Sequence, residues 1–307
     1  MKELSISVQT AGWLNPLFGE DKAAEAFEFI KKCGFESLDY NIDTKLVPKQ
    51  IDKNDRGTFF TKSIDEILEY YAPIKAALDA SGISMTQAHA PFPLFRRSSE
   101  EMSDFLVEAL EKCLAACRFL GIPAIVTHPC NYVDRENEKK CNLALFRRII
   151  PIAKQYGVKI CLENVPNVTA GHVISGTCCD VNEANWYIDM FNEEAGEDLF
   201  GFCFDIGHAN ISSTNMYDYI TKLGNRLTVL HLHDNDAASD QHLAPMTQKK
   251  TDWDGFIEGL RAINYRGPIN FESCKSIMQY PSELIPAMLT YTAEVGKYIR
   301  SRILEER

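Results

Sequence analysis

The sequence contains no apolar run that approaches the ~20 residues needed to span a lipid bilayer as a helix. Its first residues, Met-Lys-Glu-Leu-Ser-Ile-Ser-Val, lack the apolar segment and the small-residue cleavage site of a secretory signal. Neither an internal repeat nor a low-complexity segment is present. These absences argue against a membrane protein, and they predict a cytoplasmic protein with no membrane partner.

Basic residues are scarce, because 32 lysines and arginines stand against 43 aspartates and glutamates, which gives a net charge of −11. Proteins that bind phosphate backbones usually present a basic face, so a nucleic-acid partner is not expected. The ten cysteines include no Cys-x-x-Cys pair, which argues against a zinc ribbon or a thioredoxin-type redox site. They lie mostly in apolar contexts, and this predicts reduced, buried thiols.

Short apolar segments of strand length alternate with amphipathic helical segments along the 307 residues. The predicted strands cover residues 5–10, 36–41, 84–88, 123–127, 159–162, 201–204, a segment from 227, and 268–271. The predicted helices cover 21–32, 63–80, 100–120, 137–156, 181–192, 216–223, 252–263 and a final segment from about 282, whereas 42–60 is predicted to be a polar loop. Eight strand–helix units predict an α/β fold in which a parallel sheet closes into a single (β/α)8 TIM barrel domain over residues 1–307.

Residues of the types that bind metals follow the predicted strands. Six of them stand directly at strand ends: His89, His128, Glu163, Asp205, His231 and Glu272. Three more lie a few residues into the following loops: His208, Asp240 and His242. The segment 227–242 is the richest, with three histidines and three aspartates. In a TIM barrel the carboxyl ends of all strands share one rim, where the active site lies, so we expect these side chains to converge.

Each of these residues also has a purely structural interpretation. A single histidine at a strand end is more often a hydrogen-bonded structural residue than a ligand. Asp205 could cap the following helix, and Glu272 could pair with Lys275. His233 has the same strand parity as His231 and is a rival ligand. One shared site nevertheless explains six ligand-type residues at six strand ends better than six coincidences do.

Carboxylates and imidazoles without thiolates suit a divalent ion such as Mn²⁺, Co²⁺, Mg²⁺ or Zn²⁺. Glu163, Asp205, His231 and Glu272 follow the last four predicted strands, and they would surround one ion while leaving its other face open, as in catalytic sites. Such an ion could hold vicinal oxygens of a sugar and polarise its carbonyl, with Glu163 and Glu272 as proton acceptor and donor. This combination predicts isomerisation or epimerisation through an enediolate.

The order of short motifs along the chain carries a family resemblance. The motifs are His89-Ala-Pro, His128-Pro, Leu162-Glu163-Asn164, Asp205-Ile-Gly-His208, His231-Leu-His-Asp234 and Phe271-Glu272-Ser273. This succession resembles the xylose isomerase-like TIM barrel superfamily, which contains sugar phosphate isomerases/epimerases and endonuclease IV. The resemblance implies a sugar or sugar phosphate substrate and a metal held by Glu163, Asp205, His231 and Glu272. It also implies that the two glutamates form the acid/base pair and that His208 lies near substrate oxygens.

The sequence departs from the ketose 3-epimerases at two positions, where Thr169 and Ala237 replace a glutamate and an arginine that grip the substrate. Five further positions resemble the fuller ligand set of endonuclease IV, in which three zinc ions cleave a phosphodiester: His89, His128, His208, Asp240 and His242. These five residues would bind either a second metal or the substrate. The alternative function is therefore an endonuclease IV-like multi-zinc phosphodiesterase, or another metal-dependent hydrolase or lyase. A binding protein without turnover is a third interpretation, and barrels of this kind often pair into homo-oligomers.

Overall fold

The computed structural model describes residues 3–19, 21–169 and 172–305. Ten strands occur in this part of the chain: β1 Ile6–Gln9, β2 Ser37–Asn41, β3 Ser84–His89, β4 Ala124–Thr127, β5 Lys159–Glu163, β6 Asn167–Thr169, β7 His172–Ile174, β8 Phe200–Asp205, β9 Leu227–His231 and β10 Ile269–Phe271. All except β6 and β7 form one parallel sheet in the order β10-β1-β2-β3-β4-β5-β8-β9. The Leu232 amide donates to Asn270 O and the Glu272 amide donates to Leu232 O, both at 2.9 Å, which joins the two edge strands. The predicted TIM barrel is thereby confirmed.

Twelve α-helices occur in the same described ranges. They are α1 Leu14–Phe18, α2 Ala23–Lys32, α3 Pro48–Asp52, α4 Ile64–Ser81, α5 Glu100–Leu120, α6 Arg135–Tyr156, α7 Val181–Ala195, α8 Ile206–Ile211, α9 Met216–Leu223, α10 Trp253–Ala262, α11 Cys274–Ile277 and α12 Ile285–Leu304. The eight predicted helices are all present, with ends that shift by a few residues. Their ends follow local chemistry: Ser63 Oγ accepts a hydrogen bond from the Glu66 amide at the start of α4, and Gly82, with φ 68°, ends it in the left-handed conformation.

The sequence pattern did not indicate the short elements between the barrel units. Segment 42–60, predicted to be a polar loop, contains a 3-10 turn at Asp43–Lys45 as well as α3. β6 and β7 form an antiparallel hairpin after β5, and α8 begins directly after β8. Elements of this length are too short to show a hydrophobic period, so periodicity cannot detect them.

The barrel interior has two halves of different chemistry. On the side of β4, β5, β8 and β9, small apolar side chains form a separate buried cluster: Ala124, Val126, Cys161, Cys203 and Val229. On the side of β10, β1, β2 and β3, buried polar side chains predominate: Ser7, Gln9, Asp39, Gln87 and Asn270. Alternation along each strand turns the other side chains outward, where they pack against the helices in the main core. Within the polar half, Gln87 and Asn270 donate to Asp39, which in turn contacts His231 at the end of β9.

The structure bears on the cysteines and on membrane-spanning helices, two features that composition addresses. The nine described cysteines are free thiols, and most of them are buried, as the sequence predicts. No helix among the described residues is both long enough and apolar enough to cross a membrane.

Candidate metal and catalytic site

Seven of the nine candidate residues line one cavity of about 400 Å³ at the carboxyl end of the barrel: His89, His128, Glu163, His208, Asp240, His242 and Glu272. The other two, Asp205 and His231, are fully buried and contact members of that set. Gln9, Asn41 and Asp43 add further polar groups to the lining. The structure therefore brings the nine residues together, as strand position predicts, while their individual roles stay predictions.

Glu163, at the end of β5, lies at the centre of the cluster and is only 1% exposed. Its Oε1 lies 3.1 Å from His208 Nδ1. Its Oε2 lies 3.2 Å from His128 Nε2, 3.4 Å from His231 Nδ1 and 3.9 Å from His89 Nε2. Burial opposes ionisation of Glu163, but the facing imidazoles of His128, His231 and His208 hold its pKa well below the usual value. Glu163 is therefore an anion at neutral pH.

His231, at the end of β9, is oriented by a carboxylate deeper in the barrel. Its Nε2 lies 3.2 Å from Oδ2 of Asp39, which also accepts hydrogen bonds from Gln87 Nε2 at 3.0 Å and from Asn270 Nδ2 at 2.9 Å. Asp39 therefore favours a proton on His231 Nε2, and Nδ1 is left facing the glutamates of the cavity. Metal-binding histidines are commonly held by a second carboxylate in this way.

Glu272, directly after β10, contacts the same imidazole. Its Oε2 lies 3.0 Å from His231 Nδ1, and its Oε1 accepts a hydrogen bond from Gln9 Nε2 at 2.7 Å. Burial opposes ionisation, but the facing charge of His231 lowers the pKa of Glu272 below its usual value. Lys275, which the sequence offered as a pairing partner, instead donates from Nζ to the backbone oxygen of Asp240 at 2.9 Å. Glu272 is therefore a second anion directed at the cavity.

Asp205, at the end of β8, caps α8, because its Oδ1 accepts a hydrogen bond from the His208 amide at 2.7 Å. The same carboxylate lies 3.1 and 3.2 Å from His233 Nε2. Asp205 therefore caps α8 and contacts the imidazole of His233 at the same time. Ligand atoms of Asp205, His231 and Glu272 also lie within 4.8 Å of one another. Both His231, at the end of β9, and His233, two residues later, therefore stay candidate metal ligands beside Asp205.

Asp240 lies at the centre of a second group of ligand-type side chains. Its Oδ2 lies 2.9 Å from His242 Nε2, and its Oδ1 lies 3.8 Å from His233 Nε2 and 3.9 Å from His208 Nε2. The rings of His233 and His242 stack at a centroid distance of 4.2 Å. Burial opposes ionisation of Asp240, but the facing imidazoles of His208 and His242 lower its pKa. His208 and His233 connect this second group to the first, because both imidazoles lie near Asp205 as well as near Asp240.

Three buried polar atoms of the cluster have polar neighbours but make no hydrogen bond of acceptable geometry within the described ranges: Glu163 Oε2, His231 Nδ1 and Asp240 Oδ1. An unpaired buried polar group costs about 1–3 kcal/mol, so three such atoms at one place indicate a ligand site. Their chemistry, carboxylate oxygen and imidazole nitrogen, suits a divalent cation. Five trios among the described residues have ligand atoms within 4.8 Å of one another, and three of these trios share no residue: His89, His128 and Glu163; Asp205, His231 and Glu272; and His233, Asp240 and His242. The residues present therefore fit one or more divalent cations.

Sequence reasoning missed the residues that hold the cluster in place. Asp39 and Gln9 orient His231 and Glu272, as described above. Asn164 Nδ2 donates to Asp205 O at 2.8 Å, and the Asp205 amide donates to Asn164 Oδ1 at 2.9 Å. A polar residue at an inward position of a predicted strand, as at Gln9 and Asp39, is the sequence signal that could have found two of these three.

Comparison with known proteins assigns the chain to a family. The profile described as xylose isomerase-like TIM barrel matches residues 19–292. Since this match spans most of the sequence, the protein belongs to the xylose isomerase-like TIM barrel family, as its motifs suggest.

Relatives within this fold have different activities. An L-ribulose 3-epimerase of Methylomonas sp. (strain DH-1) is 25% identical over 281 residues, which cover 89% of this chain and 85% of that protein. A probable endonuclease 4 of Methanoculleus marisnigri is 30% identical over 223 residues, 67% of this chain and 73% of that protein. Among solved structures, the IOLI protein with a binding zinc atom has a TM-score of 0.69 at 18% identity, with 98% of this chain and 100% of that chain covered. Because one fold carries several activities, the function has to be argued from the site.

Proposed function

We propose that the protein is a divalent-metal-dependent isomerase or epimerase of a sugar or a sugar phosphate. The observation that carries this proposal is the approach of Glu163 and Glu272 to one imidazole nitrogen, His231 Nδ1, beside a cavity of about 400 Å³. Two carboxylates at one small-molecule site form an acid/base pair for moving a proton between neighbouring atoms of a substrate. Similarity to an L-ribulose 3-epimerase supports a sugar as that substrate.

In the proposed reaction, one glutamate accepts the proton from the carbon next to the sugar carbonyl, and the substrate becomes an enediolate. The other glutamate, protonated from water once the substrate is bound, delivers that proton to the opposite face of the same carbon for epimerisation, or to the neighbouring carbon for isomerisation, and the first glutamate then returns its proton to water. His89, His128 and His208 line the cavity, and in this reaction they would donate hydrogen bonds to substrate oxygens.

Glu163, Asp205, His231 and Glu272 would hold the cation, which supplies positive charge that polarises the carbonyl and stabilises the enediolate. Mn²⁺, Co²⁺, Mg²⁺ and Zn²⁺ all suit these ligands. The zinc in the IOLI structure supports a metal on this fold.

The test combines metal analysis with a substrate panel. Protein purified without chelator is analysed for metal content and then assayed with aldoses, ketoses and their phosphates, before and after chelation. We expect about one ion per chain and interconversion of at least one sugar that chelation abolishes. Unchanged turnover in metal-free protein would remove the metal from the reaction, and no turnover of any sugar would remove the isomerase.

A multi-zinc phosphodiesterase is the second candidate function. Two observations favour it. Two further trios of ligand-type residues accompany the trio of Asp205, His231 and Glu272, and a probable endonuclease 4 is 30% identical to this chain. This alternative predicts two or three zinc ions per chain and cleavage of DNA that carries an abasic site. His242→Ala separates the two functions, because sugar turnover with one ion survives the substitution, whereas a multi-zinc reaction loses both an ion and its activity.

A further inference from the structure

A second cavity, of about 520 Å³, adjoins the candidate site and plays no part in the proposed proton transfer. Phe92 and His128 line both cavities, and their rings lie 4.5 Å apart between centroids. At about 400 Å³, the first cavity already lies in the ~300–1,000 Å³ range of small-ligand pockets. A single sugar bound at Glu163 and Glu272 therefore leaves the second cavity for another part of the substrate.

The walls of the second cavity are mostly apolar and aromatic. Phe92, Phe95 and Tyr132 contribute rings, and Leu94 and Val165 contribute aliphatic side chains. Aromatic rings pack well against flat apolar faces, such as the C–H face of a pyranose or an aryl ring. A phosphate has no such face and requires several converging cationic donors instead.

The arginines at this cavity are not arranged as a phosphate clamp. Arg96 donates to Asp52 Oδ1 at 2.9 Å and to Asp52 O at 2.7 Å, so both terminal nitrogens of its guanidinium are already engaged. Arg97 is exposed, and its guanidinium carbon lies 5.8 Å from the centre of the Tyr132 ring. One engaged arginine and one arginine beside an aromatic ring suit a ring-shaped occupant better than a phosphate.

We propose that the second cavity binds a ring attached to the reacting sugar, so that the substrate is a reducing ketose extended by a glycosyl or an aryl group. This inference rests on the proposed function, which places the reacting sugar at the glutamates. Tyr132 is the specificity-determining residue and takes no part in proton transfer. Its position is fixed because its amide donates to Glu138 Oε2 at 2.7 Å, and Glu138 is paired with Arg135.

The test compares the binding of four probes to the Mn²⁺-loaded protein by titration calorimetry. The probes are D-fructose, isomaltulose, which carries glucose on O6 of fructose, 6-O-benzyl-D-fructose and D-fructose 6-phosphate. At least one ring-bearing ketose binds about tenfold more tightly than D-fructose, or about 1.4 kcal/mol. Preference for isomaltulose identifies a second sugar, and preference for the benzyl ether identifies an aryl group. Equal affinity of all probes, or tightest binding of the phosphate, overturns the subsite.

Variants connect this preference to the cavity wall. Tyr132→Ala removes the tenfold preference and leaves metal content and D-fructose affinity unchanged, whereas Tyr132→Phe retains the preference. Tyr298→Ala is the matched control, because Tyr298 is an exposed residue of α12 whose ring also lies 5.8 Å from a guanidinium carbon, that of Arg302. A ring preference that persists in Tyr132→Ala overturns the assignment.

The same data separate this inference from the proposed function. Turnover of D-fructose without any ring preference leaves the isomerase in place and removes the subsite. A ring preference that depends on Tyr132, without turnover of any ketose, leaves the subsite in place and removes the isomerase.

Discussion

Glu163 and Glu272 come from strands β5 and β10, yet both approach His231 Nδ1, at 3.4 and 3.0 Å. Replacing either one by glutamine keeps the shape of the side chain and removes its ability to accept a proton. We expect Glu163→Gln and Glu272→Gln each to lower kcat by about 10²-fold or more. Steady-state assays with the best sugar of the panel measure the loss, and a circular dichroism melt checks the fold. Full activity in either variant would exclude that glutamate from the acid/base pair.

Asp39 is a positioning residue, because it acts on the cavity only through His231. Asp39→Asn replaces the acceptor at 3.2 Å from His231 Nε2 with an amide that can present a donor there. We expect a decrease in cation affinity of about 10- to 100-fold, the range typical for partners of metal-binding histidines. Asp79→Asn, at an exposed ion pair of α4, is the control and leaves the affinity unchanged. Equal affinities in both variants would mean that Asp39 does not position a ligand.

In the proposed metal site, the histidines would bind protons in competition with the cation. Burial opposes protonation, but Asp205 beside His208, and Cys203 and Glu272 beside His231, raise the pKa of both imidazoles well above 6.5. A nitrogen must lose its proton before it can bind a metal, so cation affinity rises with pH until these raised pKa values are passed. In the metal-free protein, we expect folding stability to follow the opposite trend with pH. The stabilisation from protonated His208 and His231 is complete below about pH 6.5, and it is lost as the pH rises through their raised pKa values.

Calorimetric titration with Mn²⁺ at about pH 6, 7 and 8, in buffers of different ionisation enthalpy, checks both the affinity and the release of protons. The expected result is tighter binding at each step, with protons released on binding. Affinity that does not change over this range, with no proton release, would show that these imidazoles do not bind the cation.

At the scale of the element, α8 sets the distance between the end of β8 and His233, which lies two residues after β9. Gly207 is the second residue of this helix, and a Cβ there would lie 1.9 Å from His233 Cε1 and 2.4 Å from its Nε2. Gly207→Ala must therefore displace the His233 ring from Asp205, and we expect weaker cation binding together with loss of turnover. Gly196→Ala is the control, because it strains a left-handed helix end with open space around it and lowers stability by about 1–2 kcal/mol. Normal cation affinity in Gly207→Ala would show that the position of His233 is unimportant.

The regular elements were predictable because each strand–helix unit shows its own period and its own end signals, such as Ser63 and Gly82 around α4. The ligand-type residues were predictable for the same reason, since a strand end in this fold fixes a place on the rim. Asp39 was not, because its role depends on Gln87, Asn270 and His231, which lie on three other strands. Contacts across the barrel have no period in the sequence, and only the closed sheet reveals them.

At the scale of the whole molecule, the cluster gathers several ionised carboxylates that water would otherwise solvate. A cation that binds only the folded chain stabilises it, by about 2.7 kcal/mol at a concentration of 100 times its Kd. We therefore expect the midpoint of thermal unfolding to rise by several degrees with Mn²⁺ or Zn²⁺ and to fall after chelation. The same scan on a Glu163→Gln, Glu272→Gln double variant should show a smaller rise. An equal rise in both proteins would locate the stabilising ion elsewhere.

The closed barrel is confirmed, and the family match agrees with the resemblance carried by the motifs. The single domain over residues 1–307, the cytoplasmic location and the homo-oligomer stay predictions. Each depends on surfaces or surroundings that strand and helix patterns do not encode.

The last strand of the barrel pairs with the first, since β10 lies beside β1, and Glu272 follows β10 directly. During synthesis, the amino-terminal units emerge early, but the ring stays open and one carboxylate is missing until β10 has left the ribosome. We therefore expect the metal to enter a finished chain and not a nascent one. Under the proposed function, a cell short of the cation would hold a reserve of complete, inactive protein, which a renewed supply would activate without new translation.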